Sequence, residues 1–176
     1  MVKDNKTFLI DSSAILAPYR QYYAFDLVPS FWNKMRKYFE EGKVVVLDKV
    51  WDELKKGGEE DNLSKWIEQN KSLITICSHK TEEIIGNYAT VLQYIQTSEL
   101  YKESAIAEWA SNSIADPWII AAAKANKYTI VTEEKKSNGI SKKQKNKEAK
   151  IPDVANALGV ETVSLFDMMR YLKMVI

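Results

Sequence analysis

The sequence predicts an α/β fold in three layers, α/β/α, around a central, mostly parallel sheet of four to five strands. Three observations predict it. Short runs such as Phe8-Leu9-Ile10, Val44-Val45-Val46-Leu47 and Thr129-Ile130-Val131 are apolar or β-branched throughout, the pattern of strands covered on both faces of a parallel sheet. Segments with apolar residues at helical spacing lie between them, and this alternation implies strand–helix–strand crossovers with helices on both faces. The composition, 45% apolar and 28% charged over 176 residues, is that of a globular chain large enough for a core without staples.

The elements follow in order. Residues 7–11 form a buried strand that ends at Asp11. The segment 25–41 carries Phe31, Trp32, Met35, Tyr38 and Phe39 on one helical face, and Gly42 follows as a stop. Residues 43–48 form a second strand, and a helix over about 50–56 is ended by Gly57-Gly58. Residues 61–69 form a helix with Leu63, Trp66 and Ile67 facing inward. The region around Ile74 reads as extended or ambiguous. Thr81 opens a helix towards Ile95 with a rough cap signal, and 101–111 reads as helical. Asp116-Pro117 starts a strong helix through 125. Residues 128–132 are a third strand, 137–150 a polar, lysine-rich loop, and 152–158 a short helix stopped by Gly159. Residues 161–164 form a fourth strand and 165–175 a last helix. There is no internal repeat. The expectation is one domain over 1–176, with a helical insertion at about 61–111 and a basic loop at about 135–150.

Composition excludes several classes. The one cysteine, Cys77, sits in an apolar run and cannot form an internal disulfide. It reads as a small core residue, and a cytoplasmic location is expected. The polar N-terminal residues do not have the form of a signal peptide. No apolar run approaches the ~20 residues of a membrane helix. The net charge is +1, but residues 135–150 hold seven lysines and one acid, Glu148, a local basic stretch on a neutral chain.

Ligands of open parallel sheets bind beyond the carboxyl ends of the strands, so the polar residues delivered there carry the chemistry. Asp11 ends the first strand, and Glu53 lies in the first turns of the helix after the second. Glu133 and Glu134 follow the third. Asp116 begins the helix that feeds the third strand, which puts it at the same edge. Clustered carboxylates repel one another, and a cation relieves that repulsion. Oxygen ligands without His or Cys favour Mg²⁺ or Mn²⁺, which can activate water for phosphodiester hydrolysis. Each acid also has a plainer reading. Asp116 before Pro117 has the form of an N-cap, Asp11-Ser12-Ser13 that of a strand-to-helix cap, and Glu53 and Glu134 could be surface charges.

Four segments, Phe8-Leu9-Ile10-Asp11-Ser12-Ser13, Val50-Trp51-Asp52-Glu53-Leu54, Asp116-Pro117-Trp118-Ile119-Ile120-Ala121-Ala122-Ala123 and Ile130-Val131-Thr132-Glu133-Glu134, resemble the ordered motifs of PIN domains. These are metal-dependent ribonucleases, many of them toxins of prokaryotic toxin–antitoxin pairs. The likeness runs from Phe8 to about Glu134, and the last strand and helix fit the family's ending. The chain is longer than the smallest toxins and is similar to a larger PIN-like subgroup. The resemblance implies Asp11, Asp116 and Glu134 as metal ligands, Glu53 as a further catalytic acid, and Ser12 or Ser13 and Thr132 as supports. Glu134 departs from the family, which usually places an aspartate there, and Asp153 competes for the fourth position. It also implies an RNA substrate, an antitoxin partner and a homodimer, with no membrane. The departure at Glu134 leaves open a PIN-like scaffold or RNA-binding module with weak or no cleavage.

The basic stretch follows Glu134 directly. Lys142, Lys143, Lys145 and Lys147 are candidates for a flexible phosphate clamp, the alternative being a solvated loop. The five tryptophans and the apolar stripe Ile85, Tyr88, Ala89, Leu92 and Ile95 read first as core. A partner groove is the sharper reading of the stripe. His79 reads as a surface residue.

Overall fold

The computed structural model describes residues 6–58, 61–139 and 141–176. Residues 1–5, 59–60 and 140, the last in the basic loop, lie outside them. Five strands form one sheet: β1 (Phe8–Ile10), β2 (Val44–Leu47), β3 (Thr75–Cys77), β4 (Thr129–Val131) and β5 (Thr162–Val163), in the order β3-β2-β1-β4-β5. Every pairing is parallel. β1 lies in the middle, with Leu9 opposite Val45 on one side and Ile130 on the other. All residues of β1, β2 and β4 are buried, so the continuous apolar runs are what a doubly covered sheet requires.

Nine helices are described: α1 (Ser13–Gln21), α2 (Pro29–Glu40), α3 (Asp48–Leu54), α4 (Asn62–Gln69), α5 (Glu82–Thr97), α6 (Glu103–Trp109), α7 (Asp116–Asn126), α8 (Ile151–Ala157) and α9 (Leu165–Tyr171). Most lie where the hydrophobic period puts them. Helix α2 buries the five expected aromatic and Met side chains. It leaves through Gly42 at φ 64°, a left-handed conformation that lets Lys43 N–H donate to the Tyr38 carbonyl at 3.0 Å. Helix α7 buries seven consecutive residues, Pro117 through Ala123. It is covered on all sides because it lies against both the sheet and α5. Tyr88 of α5 stacks on Trp118 of α7 with ring centroids 3.7 Å apart.

Three differences from expectation have physical causes. Helix α1 was not foreseen. It contains Pro18, and its polar residues Tyr19, Arg20 and Gln21 blur the apolar stripe. The helix expected over 25–41 starts only at Pro29, with proline in its first turn where its lost N–H costs nothing. The stretch expected as a helical insertion carries, where the region around Ile74 read as extended or ambiguous, the edge strand β3, which pairs with β2. Its residues are exposed or half-buried, so the signature of a doubly covered strand is absent there. Four of the five tryptophans are buried, as expected of core residues, and Trp66 is partly buried against Trp32 at 5.0 Å. Among the described residues no helix is long and apolar enough to cross a membrane.

Candidate active site

The carboxyl edge of the sheet is built around Asp11. Its position directly after the central strand makes it buried, at 5% exposure. A buried carboxylate needs donors, and two hydroxyls supply them. Ser13 donates to Asp11 Oδ2 at 2.5 Å, and Thr132, just after β4, donates to the same oxygen at 3.0 Å. Asp11 N–H donates to the Val131 carbonyl at 2.9 Å. Asp11 is therefore fixed from its own loop and from the neighbouring strand.

The same hydroxyls organise the two glutamates after β4. Ser13 Oγ accepts from Glu133 N–H at 3.0 Å, and Thr132 Oγ1 accepts from Glu134 N–H at 3.1 Å. Glu53, in the last turn of α3 rather than in its first turns as the sequence suggested, accepts from Ser12 Oγ at 2.9 Å. Burial pushes the Glu53 carboxyl upward and the Asp11 charge adds to this, while Ser12, Lys56 and the Ala115 amide oppose it. That amide belongs to the residue before Asp116, so Glu53 links α3 to the start of α7.

Asp116 is the most perturbed acid of the edge. Burial, then the charges of Glu134, Asp11 and Glu53, raise its pKa from 3.8 to about 7, against the opposing pull of Lys150. The four sequence-predicted acids thus act on one another as a single electrostatic site. Asp116 does not cap its helix through its side chain, which removes the plainer reading of that residue.

Glu134 is held differently. Its Oε2 accepts from Ile151 N–H at 2.9 Å, its Oε1 lies 4.0 Å from Lys150 Nζ, and burial pushes its carboxyl upward. Asp153 stands beside Glu134 and accepts from Ser137 N–H at 2.9 Å, and it is not among the main influences on Asp116. Glu133 turns away and accepts from Leu165 N–H at 2.8 Å, at the start of α9. The donor set is all hard oxygen, which suits Mg²⁺ or Mn²⁺. Among the described residues, however, no three Asp, Glu, His or Cys side chains are drawn together into a ready cage.

The basic loop is not the free clamp the sequence suggested. Asn146 pairs with Tyr101, Lys102 N–H donates to the Asn146 carbonyl at 2.8 Å, and Ser104 Oγ donates to the Lys147 carbonyl at 3.0 Å. Lys142 pairs with Glu99. The loop is thus pinned to the connection between α5 and α6, with Lys142, Lys143, Lys145 and Lys147 exposed on it.

Two features escaped the sequence. Lys150 returns to the acidic edge, and its only sequence signal is its place just before the Ile151-Pro152 helix start. His79 is half-buried rather than a surface residue. Its Nδ1 lies 2.7 Å from Asp48 Oδ2, its backbone N–H donates to the same oxygen at 3.0 Å, and its ring meets Trp118 edge-on at 4.9 Å. The pair joins the exit of β3 to the first residue of α3, and nothing in the local sequence of either links them.

The chain belongs to the family described as a domain of unknown function (DUF4411), which matches residues 8–176. No curated protein matches it. Solved structures share its fold. FitAcB from Neisseria gonorrhoeae superposes with a TM-score of 0.57 at 19% identity, covering 91% of this chain and 99% of that one. VapBC2 from Rickettsia felis, bound to a DNA fragment from their promoter, gives 0.53 at 13% identity over 90% and 98%. DNA-bound VapBC from Salmonella typhimurium gives 0.52 at 12% identity over 91% and 98%. At these identities the likeness is one of fold.

Proposed function

We propose that this member of the DUF4411 family is a metal-dependent ribonuclease of the PIN type, hydrolysing RNA phosphodiester bonds as the toxin of a type II toxin–antitoxin pair. The observation that carries the reading is the convergence of Asp11, Glu53, Asp116 and Glu134 on one sheet edge, where burial and, after it, the charges of the other three acids hold Asp116 near pKa 7. The fold shared with FitAcB, VapBC2 and VapBC supports it, as do the ordered sequence motifs. An antitoxin protein and a second copy of the chain are the partners this reading implies.

Asp11 and Asp116 would hold a Mg²⁺ or Mn²⁺ ion, with Glu134 as the further ligand. When bound, such an ion lowers the pKa of water and offsets the charge of phosphoryl transfer. The chain's own residues do the rest. Ser13 and Thr132 fix Asp11 through Oδ2, leaving Oδ1 for the ion. Ser12 orients Glu53 through Oε2, and the burial that raises its pKa suits it to take a proton from the attacking water.

A second reading, a catalytically weak RNA-binding or scaffold protein, draws on Glu134, whose two oxygens already face an amide and an ammonium. The two readings separate in one experiment. Purified protein is incubated with a randomised RNA pool and Mn²⁺, and the new ends are sequenced, with Asp116→Asn in parallel. Cleavage abolished by the variant and by EDTA supports the nuclease. A folded protein that binds the pool without cutting it supports the scaffold and overturns the nuclease.

A further inference from the structure

Lys150 ends a lysine-rich loop, yet it is not a loosely tethered surface cation. Its neighbours on either side, Ala149 and Ile151, are 4% and 1% exposed, so the backbone at Lys150 is fixed by packing. Upstream, Asn146 is pinned by hydrogen bonds to Leu100 and Lys102. The Lys150 ammonium lies 4.0 Å from Glu134 Oε1 and 3.3 Å from Glu148 Oε2, with its side chain 36% exposed. It therefore has carboxylates on part of its surface and an open side.

Glu134 is correspondingly committed. Its Oε2 receives the Ile151 amide at 2.9 Å, and its Oε1 faces the ammonium. A two-ion nuclease site sets its metals about 3.5–4 Å apart, and a second ion on Glu134 would compete with the Ile151 amide on Oε2 and with the ammonium 4.0 Å from Oε1. It would also stand against a fixed positive charge. Asp11 Oδ1 and the Asp116 carboxylate carry no such commitment among the described residues.

We propose that Lys150 is the built-in second cation of the site. It limits the acidic edge to one divalent ion, held by Asp11 and Asp116, and presents its free N–H groups to a non-bridging oxygen of the RNA phosphate. This rests on the metal-nuclease reading. It makes Glu134 the seat of an ammonium, with its side chain aligning Lys150 and any bond to the ion made through water.

The test is calorimetric titration of the full chain with Mn²⁺ alone, for wild type, Lys150→Gln, Lys150→Arg and Lys124→Gln, with thermal melts to show each is folded. One equivalent of Mn²⁺ is expected for wild type. Removing the ammonium beside the acids should tighten Mn²⁺ at least about tenfold, or admit a second equivalent, in Lys150→Gln. Lys150→Arg should bind as wild type does, and Lys124→Gln, on the surface of α7 away from the acids, is the control for loss of one positive charge. RNA cleavage should move the opposite way, with kcat falling roughly a hundredfold in Lys150→Gln and largely kept in Lys150→Arg. A purely structural lysine would not tighten the metal while slowing the reaction. Two equivalents in wild type, or a Lys150→Gln protein that binds Mn²⁺ unchanged, overturns this inference and leaves the nuclease reading standing. No Mn²⁺ binding by any of the folded proteins overturns both.

Discussion

Asp116 concentrates the physics of the site in one side chain. Its folded-state pKa of about 7 lies above the ordinary 3.8 because burial and three neighbouring carboxylates disfavour its charge. The folded protein therefore binds this proton more tightly than the unfolded chain. The associated stability is fully present below pH 4, falls as pH rises towards 7, and is gone above it. The full swing is about 4 kcal/mol. Metal-free protein should melt higher at pH 5 than at pH 8, and Asp116→Asn should flatten much of that slope in chemical denaturation across this range. Mn²⁺ at pH 8 should raise the wild-type melting temperature and leave that of Asp116→Asn nearly still. Asp11 is controlled from outside by hydroxyls. Ser13→Ala removes a donor to Asp11 and an acceptor for the Glu133 amide. It should cost about 1–3 kcal/mol and slow cleavage at least tenfold, as read from urea midpoints and single-turnover rates.

At the scale of elements, two adjacent glutamates after β4 have separate tasks. Glu133 secures the first residue of α9, whereas Glu134 lies at the acidic edge beside Lys150. Glu133→Ala should lower stability by about 1–2 kcal/mol while Mn²⁺ binding stays unchanged. Glu134→Ala should alter Mn²⁺ binding. Helix α7 brings Asp116 to the edge, and its Ala121, Ala122 and Ala123 are fully buried, none more than 1% exposed. Ala122→Leu should overpack this layer by roughly 1–3 kcal/mol, lowering the melting temperature and displacing Asp116, with a loss of cleavage larger than the loss of stability explains. The local sequence announced α7, α2 and the buried strands because their residues repeat at the period of the element they form. It did not announce α1, whose Pro18 and polar end obscure the stripe, and it gave β3 only as an extended or ambiguous stretch, because a short edge strand with exposed and half-buried residues lacks the pattern of a doubly covered one.

Across the whole molecule, what joins the parts is long-range and correspondingly harder to read from the chain. Asp11 and Glu134 were visible because they follow strands, Asp116 because it begins a helix and Glu53 because it lies in the short helix after β2, and a parallel sheet sends such residues to one edge. Lys150 was not visible, since only the docking of the loop on 100–104 returns it there. The Asp48–His79 pair spans two crossover connections and leaves no local trace. That docking also changes what the lysines can do. Lys142, Lys143, Lys145 and Lys147 stand on a braced loop, so replacing Lys143, Lys145 and Lys147 together by Gln should weaken binding of single-stranded RNA. The slope of log affinity against log salt should fall by about 0.7 for each phosphate no longer neutralised, with the melting temperature little changed. The central claim is that the acidic edge is a metal site. Its most direct test is anomalous diffraction from crystals of the protein grown with Mn²⁺. A manganese peak bonded by Asp11 and Asp116, and lost in Asp116→Asn, is the expected result. Manganese found only elsewhere, or none at millimolar concentration in a folded protein with this edge open to solvent, would contradict it.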